Sequence, residues 1–512
     1  MIALTVTGVA AIVVQFALYG NFLLRWNYDT GVYFGATLHT WNGVFPYRDF
    51  IFVQPPGITL VLAPAAFLQF VVGSAAGLET ARALTLVVVV ANVSLVAYVL
   101  RRWGVVAQVT GGLLMAAWPQ LVALDWPITM DPFLVLFCLL ALEYLLRSWE
   151  EPDVEARRSW QAGVLIGVAA LMKLWALFPF VAFVAVALVI RRRLVPRFVG
   201  GAALGFAVPA LPFFLASPSA FISETVSTQL VRSSHGFGAG VVKRQIGGFG
   251  HWLLATAPGA GWSGVIAVLA LLAASAVLAM RLGARERAAV AAVAVGLVLC
   301  LYSLIQAGTS PLYYLYFSSS FGCVLVGIVV GLAYQRIVAR LTWVPQAQTV
   351  ISWFASFTVA LVALLAFVDF RSQYSVDVGS KAHAATIETL GFFSQIPSGS
   401  CVVTDDPYLL IYAEREVSGR PGCPAQVDPF GVWLYHGPHD VLASGTADAA
   451  STRDAWIGYL SHADYFLDRV GLNYLMPWDT TFQSWLASHY SAVSTKDYIV
   501  IYRNDALVSG GG

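Results

Sequence analysis

The stretch that decides the fold runs from Gly163 to Arg193 and reads GVLIGVAALMKLWALFPFVAFVAVALVIRRR. One charged residue, Lys173, separates the apolar segments 160–172 and 174–190. A single span over both segments would place this lysine in hydrocarbon, at a cost of about 3 kcal/mol. We therefore predict a tight hairpin whose turn lies near Lys173, at the outer boundary of a membrane. One long tilted helix is the alternative interpretation.

The composition of the whole chain indicates a membrane protein. Of its 512 residues, 58% are hydrophobic and only 11% are charged, whereas soluble domains carry about 25% charged residues. The mean hydropathy is +0.73. The net charge of +1 argues against a basic surface for nucleic acid. The first apolar run, 2–24, lacks a basic n-region and an Ala-x-Ala cleavage site, which predicts an uncleaved first span.

Apolar runs long enough to cross a bilayer recur along most of the chain. We predict a polytopic α-helical membrane protein with about 11 spans: 2–24, 83–100, 107–124, 132–147, 160–172, 174–190, 198–216, 262–280, 288–306, 312–333 and 349–368. Positive charges cluster at alternate connections, and such clusters stay on the cytoplasmic side. The predicted topology therefore has a cytoplasmic N-terminus in the plasma membrane. Connections 125–131, 217–261 and 307–311 and everything after Phe370 lie outside.

Segment 56–72 is ambiguous because it is apolar but follows directly on Pro55 and itself opens with Pro56-Gly57. If this segment crosses the membrane fully, the loop 25–55 lies in the cytoplasm. If it is re-entrant or interfacial, the loop lies outside. Charge counting alone does not decide between these two topologies.

The polar tail predicts a second domain over 371–512, outside the membrane domain of 1–370. Cys401–Thr404, Ala463–Leu467 and Tyr498–Tyr502 have the pattern of strands, and 480–489 has the pattern of a helix. Asp406-Pro407 predicts a helix start, with Asp as the N-cap. We therefore expect a small extracytoplasmic α/β domain. In an oxidising compartment, Cys401 and Cys423 of this domain can form a disulfide.

The loop after the first span contains the most informative acidic residue. Asp29 follows that span within a few residues, and the aromatic side chains Trp26, Tyr28, Tyr33 and Trp41 surround it in sequence. Aromatic residues at this depth often serve only as interface anchors. A carboxylate at a membrane boundary is a candidate functional residue by default.

This loop resembles the first external loop of the C-type (GT-C) glycosyltransferases. The resemblance rests on Asp29-x-Gly31-x-Tyr33, Gly43-x-x-Pro46-Tyr47-Arg48-Asp49 and Pro55-Pro56. The protein-mannosyltransferase-like group, which includes the lipid A aminoarabinose transferases, is the most similar. Those transferases place a Lys before the Pro-Pro, where this chain has Gln54. In the family an acidic residue after the first span sits in the catalytic cavity, which favours an external loop 25–55 and a re-entrant 56–72.

Three other stretches fit the same family. Met130-Asp131-Pro132-Phe133 resembles the second acidic position at the start of a span, and Gly163–Lys173 resembles a Gly-x-x-x-Gly-x-Ala-x-x-x-Lys hairpin. Ile396 to Asp405 resembles the extracytoplasmic domain of bacterial members. The resemblance implies a glycosyltransferase that moves a sugar from a polyprenyl-phosphate donor to a glycan, lipid or protein acceptor in the cell envelope.

This chemistry assigns expected roles to particular residues. A carboxylate can take the proton of the acceptor hydroxyl, and cations can stabilise the departing phosphate. Asp29 is the candidate base, and Asp131 is expected to orient the acceptor, to hold a divalent cation (Mg or Mn) with Asp29, or to cap its helix. The candidate phosphate ligands are Lys173, Arg232, Lys243, Arg244 and Arg48, and the expected cavity residues are Tyr33, Tyr47, Gln54 and His235.

Two other functions fit part of the pattern. A transporter or lipid flippase also has many spans and charges within the membrane. Here, however, the charges lie near the outer face, no internal repeat stands out, and the tail is large. A non-catalytic scaffold derived from a transferase is the remaining alternative.

Overall fold

The computed structural model describes residues 27–116, 128–232, 242–243, 246–247, 249–250, 261–306, 314–340, 391–418, 420–436, 450–470, 475–496 and 498–509. Fifteen helices precede the tail in these ranges: α1 Tyr28–Trp41, α2 Gly57–Val61, α3 Ala63–Phe67, α4 Gln69–Val72, α5 Ser74–Val99, α6 Val105–Ala116, α7 Asp131–Glu150, α8 Glu155–Met172, α9 Leu177–Arg191, α10 Val195–Ala216, α11 Pro218–Ile222, α12 Thr228–Arg232, α13 Trp262–Ala279, α14 Ala284–Gln306 and α15 Leu315–Arg340.

The chain is a multi-pass membrane protein. Among the described residues, six helical stretches are long and apolar enough to cross a bilayer: Ser74–Trp103, Asp131–Glu150, Leu174–Ala216, Trp262–Ala279, Ala284–Gln306 and Leu315–Arg340. The third stretch has 43 residues and contains two of the predicted spans, 174–190 and 198–216. The predicted spans 2–24 and 349–368 lie outside the described residues, so the number of eleven stays a prediction.

The chain turns at Lys173, as the sequence predicts. Lys173 has an extended backbone (φ −157°, ψ 132°) between α8 and α9. The far ends of the two helices also meet, because the Ser159 hydroxyl donates to the Leu194 carbonyl at 3.2 Å. The two helices are therefore antiparallel, and the alternative of one long tilted helix is wrong.

Helices α8 and α10 touch through their backbones. A Cβ on Gly163 would lie 2.1 Å from the Phe198 carbonyl oxygen, and a Cβ on Gly201 would lie 2.4 Å from the Trp160 carbonyl oxygen. Small residues at a spacing of four allow this approach between membrane helices. The contact fixes α8, and with it the Lys173 turn, against the rest of the bundle.

Two adjacent glycines of α10 offer a matched test of this packing. We expect Gly201→Ala to lower stability by roughly 1–3 kcal/mol, because overpacking forces the two backbones apart. Gly200 has no atom within 4 Å of its Cβ position, so Gly200→Ala should be neutral or stabilising by up to about 1 kcal/mol. The thermal midpoints of both variants in detergent measure the difference. Equal midpoints would contradict the close contact.

Segment 56–72 does not form one membrane-crossing helix. It is divided into α2, α3 and α4, none longer than five residues. Even the combined apolar stretch Ala63–Val72 reaches only about 15 Å, half of the roughly 30 Å of hydrocarbon in a bilayer. Helices α2 and α3 pack on α1, and α3 and α4 pack on α5. This is the geometry expected of a re-entrant segment.

An ion-pair cluster joins the ends of α5 and α7. The Glu143 carboxylate receives hydrogen bonds from Arg101 at 2.7 Å, Arg102 at 2.5 Å and Arg147 at 2.8 Å. Arg102 also pairs with Glu150. Arg101 and Arg102 belong to one of the alternate positive connections and Arg147 to the next, both predicted to be cytoplasmic, and the structure brings them together at one end of the bundle.

The tail contains a four-stranded mixed sheet of order β1-β2-β4-β3. Its elements are β1 Val402–Thr404, α16 Pro407–Tyr412, α17 Pro429–His436, α18 Ala450–Leu460, β2 Tyr465–Arg469, α19 Thr480–His489, β3 Tyr490–Lys496, β4 Ile499–Asn504 and α20 Asp505–Ser509. Strands β1 and β2 are parallel, and the other pairs are antiparallel. The three predicted strands and the helix 480–489 are present, whereas the sequence did not predict β3. The structure joins Cys401 to Cys423 by a disulfide.

One segment of the tail packs into the membrane part. As predicted, Asp406 caps α16, and its side chain accepts from the Tyr408 N–H. Tyr408 and Tyr412 belong to the same apolar core as α1 and α5. The buried Arg82 of α5 donates to the Tyr408 hydroxyl at 3.0 Å. The predicted boundary at 370 lies outside the described residues, and the division into two domains stays a prediction.

Candidate active site

A buried ion pair lies at the turn between α8 and α9. The Lys173 Nζ is 3.1 Å from one Asp131 carboxylate oxygen and 3.3 Å from the other. Both side chains are almost fully buried. The same Nζ lies 3.6 Å from the ring centroid of Trp175 and 4.0 Å from that of Tyr314. The ammonium is thus held by one carboxylate and two aromatic faces, each of which favours a cation.

Lys173 also lines a cavity of 510 Å³. The polar lining consists of Lys173, Gln54, Gln229, Gln306, Ser303, Tyr302 and Tyr314, and the apolar lining of Pro55, Leu174, Trp175, Leu177, Phe178, Val181, Val226 and Leu230. Leu177, Val181 and Leu230 are more than half exposed at the surface of the protein. The cavity therefore combines one cation, neutral hydrogen-bonding groups and an apolar opening on the side of the bundle.

Asp29 lies in the first turn of α1, close to this ion pair. Asn27 caps the helix by accepting from the Thr30 N–H. The Thr30 hydroxyl in turn accepts from the Ile128 N–H at 2.8 Å, just before Asp131 in the chain. These two bonds hold the start of α1 beside the start of α7, which brings the two candidate carboxylates to the same end of the bundle.

Tyr33 lies near enough to both carboxylates for their charges to act on its hydroxyl. Burial raises the pKa of its hydroxyl well above the ordinary value, and the charges of Asp29, Tyr314, Asp131 and Asp428 raise it further. The phenol therefore stays protonated at physiological pH and can donate a hydrogen bond. The structure thus brings together four of the candidate residues, Asp29, Asp131, Lys173 and Tyr33.

The comparisons with known proteins point to one superfamily. The model of glycosyltransferase family 87 matches residues 52–303. ArnT from Cupriavidus metallidurans bound to undecaprenyl phosphate has a similar structure, with a TM-score of 0.64 at 16% identity over 98% of both chains. The apo oligosaccharyltransferase of Archaeoglobus fulgidus reaches 0.54 at 12% identity, over 98% of this chain and 74% of that one. This chain is a GT-C glycosyltransferase. No curated protein sequence matches it.

The GT-C assignment confirms the predicted fold class and the predicted reaction class. ArnT in its apo state is similar to the same degree, with a TM-score of 0.62 at 15% identity over 98% of both chains. Because the matching family model is that of a glycosyltransferase family, the transferase is favoured over the transporter or flippase alternative.

Gln54 and Tyr47, two of the predicted cavity residues, belong to an extended segment that forms one wall of the cavity. Gln54 lines the cavity, and its carbonyl accepts from the Tyr47 hydroxyl at 2.6 Å. Tyr47 is buried and has a positive φ of 69°, a strained backbone for a bulky residue. Its side chain supports the wall and is not itself in the cavity lining.

The remaining predicted phosphate ligands do not line the cavity. Arg48 is exposed and pairs with Asp49 at 2.6 Å, so its guanidinium is directed to a neighbouring carboxylate on the loop surface. This position gives Arg48 no contact with the cavity, contrary to the sequence-based expectation. Lys243 is half-buried but is not among the lining residues. The side chain of Arg232, and all of His235 and Arg244, lie outside the described residues.

Several residues of the site escaped the sequence analysis. Trp175 and Tyr314 face Lys173, Gln229 lines the cavity, and Glu224 lies on the segment before it. Trp175 follows Lys173 by two residues, so its proximity to the ammonium is already visible in the sequence. Tyr314 and Glu224 are distant in sequence, and only the fold brings them near.

The predicted sharing of a divalent cation by Asp29 and Asp131 stays a prediction. No group of three or more His, Cys, Asp or Glu side chains within the described ranges is placed to hold a metal ion. Asp131 is engaged by Lys173 instead. The geometry thus favours a role for Asp131 in holding the ammonium.

Proposed function

We propose that this enzyme transfers a sugar from a polyprenyl-phosphate carrier to a hydroxyl acceptor on the extracytoplasmic face of the plasma membrane. The observation that carries the proposal is the position of Lys173, a buried ammonium at the wall of an apolar cavity that opens on the side of the bundle. The similar ArnT structure holds undecaprenyl phosphate, a ligand of the same chemistry.

The cavity suits the two parts of such a donor. The exposed side chains of Leu177, Val181 and Leu230 offer an apolar path for the prenyl chain, whose burial is favourable in proportion to its apolar area. The phosphate would share the Lys173 ammonium with Asp131. Gln54 and Gln306 are neutral and can bind sugar or phosphate oxygens without adding charge.

The proposed reaction is a displacement at the anomeric carbon. The acceptor oxygen forms a bond to that carbon while the bond to the phosphate oxygen breaks, and the leaving polyprenyl phosphate keeps the electron pair. Asp29 takes the acceptor proton as general base. Lys173 stabilises the negative charge that grows on the departing phosphate. Asp131 holds the ammonium in place, and the protonated Tyr33 hydroxyl can donate to the sugar or to the acceptor.

The topology of the proposal places α1 and the tail outside. Residues 1–370 form the membrane domain with a cytoplasmic N-terminus, and 371–512 form the extracytoplasmic domain. The disulfide between Cys401 and Cys423 supports this side, because disulfides persist in oxidising compartments. The re-entrant geometry of 56–72 supports an external loop 25–55. The acceptor is a glycan, a lipid or a protein.

Cysteine labelling tests the topology. Arg48 and Arg285 are both exposed arginines, and the proposal places them on opposite sides of the membrane. We expect Arg48→Cys to react with a membrane-impermeant maleimide in intact cells, and Arg285→Cys to react only after permeabilisation. The native free cysteines Cys138, Cys300 and Cys323 are buried and should give little background. Labelling of Arg48→Cys only after permeabilisation would place Asp29 on the wrong side and overturn the proposal.

A further inference from the structure

Two segments that form one wall of the cavity are joined by hydrogen bonds. The Phe52 N–H donates to the Glu224 Oε2 at 2.8 Å. The Gln229 Nε2 donates to the Val53 carbonyl at 2.6 Å. The first segment continues into Gln54, which lines the cavity, and Gln229 lines the cavity itself. We call these two hydrogen bonds the wall clamp.

Aromatic packing supports the same junction. The rings of Tyr47 and Phe221 meet edge to face, with centroids 5.0 Å apart. The Tyr47 hydroxyl also donates to the Gln54 carbonyl. The strained positive φ of Tyr47 persists because these contacts determine its position. Between α11 and α12, residues Ser223–Ser227 form a π-helical turn, a feature that is frequent at functional sites.

Glu224 is unusual within this junction because it is a buried carboxylic acid that forms no ion pair with the part of the chain that the structure describes. Its exposed fraction is 3%, and no described Lys, Arg or His forms a salt bridge with it. An acidic side chain is rarely buried in this way unless it is paired. The Glu224 carboxyl group accepts a hydrogen bond from the Phe52 N–H, which belongs to the cavity wall. The carboxyl group therefore contacts the wall, and Glu224 is not among the residues that line the cavity.

We propose that Glu224 is a positioning residue that sets the donor cavity by holding the extended wall 52–55 against the π-helical turn that precedes α12. The inference rests on the proposed function of the cavity. Glu224 acts through Gln54 and Pro55, which line the cavity, and has no direct part in the chemistry. Loss of the clamp should weaken donor binding and leave the chemical step nearly unchanged.

Burial makes the charge of Glu224 sensitive to pH near neutrality, whereas its carboxyl group can accept from the Phe52 N–H in either protonation state. Burial raises the pKa of Glu224 to about 7, the Phe52 N–H lowers it, and the charge of Asp428 raises it. The pKa values of Tyr47 and Tyr459, the other titratable groups near Glu224, are raised above their ordinary value, that of Tyr459 to about 12. Both tyrosines are therefore neutral near pH 7. Above pH 7, Glu224 acquires a negative charge behind the wall of a phosphate site, which disfavours an anionic donor.

Donor kinetics of three variants test the role. We expect Glu224→Ala and Gln229→Ala each to raise the donor KM about tenfold, because a tenfold weaker affinity corresponds to the loss of roughly one hydrogen bond. The kcat of both variants should stay within about twofold of the wild type. Glu224→Gln keeps an acceptor oxygen, so it should retain the wild-type KM at pH 6. Between pH 6 and 8 the wild-type KM should rise, whereas that of Glu224→Gln should stay flat. Glu286 is exposed, and Glu286→Gln serves as the control for the loss of one negative charge.

Hydrogen exchange of the purified enzyme tests the clamp without any substrate. Amides of 51–54 should exchange faster in Glu224→Ala than in the wild type, and Glu224→Gln should restore protection. An unchanged donor KM, a loss confined to kcat, or equal exchange in all variants would overturn the inference. A wild-type enzyme that transfers no sugar from a polyprenyl-phosphate donor, yet shows the expected exchange, would overturn the proposed function and leave the clamp standing.

Discussion

Lys173→Met is expected to lower kcat/KM for the polyprenyl-phosphate donor by about 10²–10³-fold, because the growing phosphate charge would lose its preorganised cation. The same variant leaves Asp131 buried without its ion-pair partner. Removal of one member of a buried pair typically destabilises a protein by about 3–5 kcal/mol. Activity loss in this variant alone therefore has two explanations, a missing ligand and a weakened fold.

A double variant separates these explanations. Lys173→Met with Asp131→Asn removes both charges, and neutral groups in place of a buried pair often cost little stability. We expect the thermal midpoint of the double variant to return close to the wild type while the transfer activity stays lost. Lys496→Met in β3 is the control for loss of a lysine far from the cavity. Recovery of activity in the double variant would show that Lys173 serves only the fold.

Asp29→Asn should lower kcat by about 10²–10⁴-fold, the range expected when a general base is lost. The asparagine side chain keeps the size of Asp29 and cannot accept the proton of the acceptor hydroxyl. Donor binding should change little, because we propose that Lys173, and not Asp29, contacts the donor phosphate. Initial rates of transfer, measured at saturating donor and acceptor, give the effect on kcat.

The matched control for this prediction is Asp49→Asn. Asp49 belongs to the same loop region, but it pairs with Arg48 on the surface and has no proposed part in catalysis. It should keep kcat within about twofold. A folded Asp29→Asn enzyme with wild-type kcat would remove Asp29 from the base role and direct attention to Asp131.

The features that the sequence predicted well are local. Lys173 between two apolar runs marked the turn, because a lone ammonium is costly in hydrocarbon. Asp406-Pro407 marked a helix start, because the side chain of Asp can accept from the free N–H groups of a first turn. The apolar runs marked the spans. Each of these predictions depends on residues within one turn or one segment, where the physical signal is strong.

The features that the sequence did not predict depend on long-range packing. The packing of α16 against α1 and α5 joins parts of the chain that are hundreds of residues apart, as the hydrogen bond from Arg82 to Tyr408 shows. Strand β3 is an edge strand with mostly exposed side chains, so it lacks the apolar pattern that marks a buried strand. Glu224 is one acidic residue at the start of a connection rich in cations and glycines, and nothing in the local sequence indicates its burial.

The choice among the candidate cations also depends on packing that the sequence does not reveal. Arg48 and Lys173 were both reasonable phosphate ligands from charge alone. The structure separates them, because Arg48 pairs with the adjacent Asp49 on the surface and Lys173 is buried in the cavity wall. Sequence adjacency of Arg48 and Asp49 could have indicated the surface pair, whereas the aromatic faces of Trp175 and Tyr314 around Lys173 required the fold.

Binding of undecaprenyl phosphate to the purified enzyme tests the central claim most directly, since it requires neither the sugar nor the acceptor to be known. We predict that the wild type and Asp29→Asn bind this lipid with equal affinity. The double variant Lys173→Met with Asp131→Asn should bind it at least about tenfold more weakly. Equal binding by all three proteins would contradict a donor-phosphate site at Lys173.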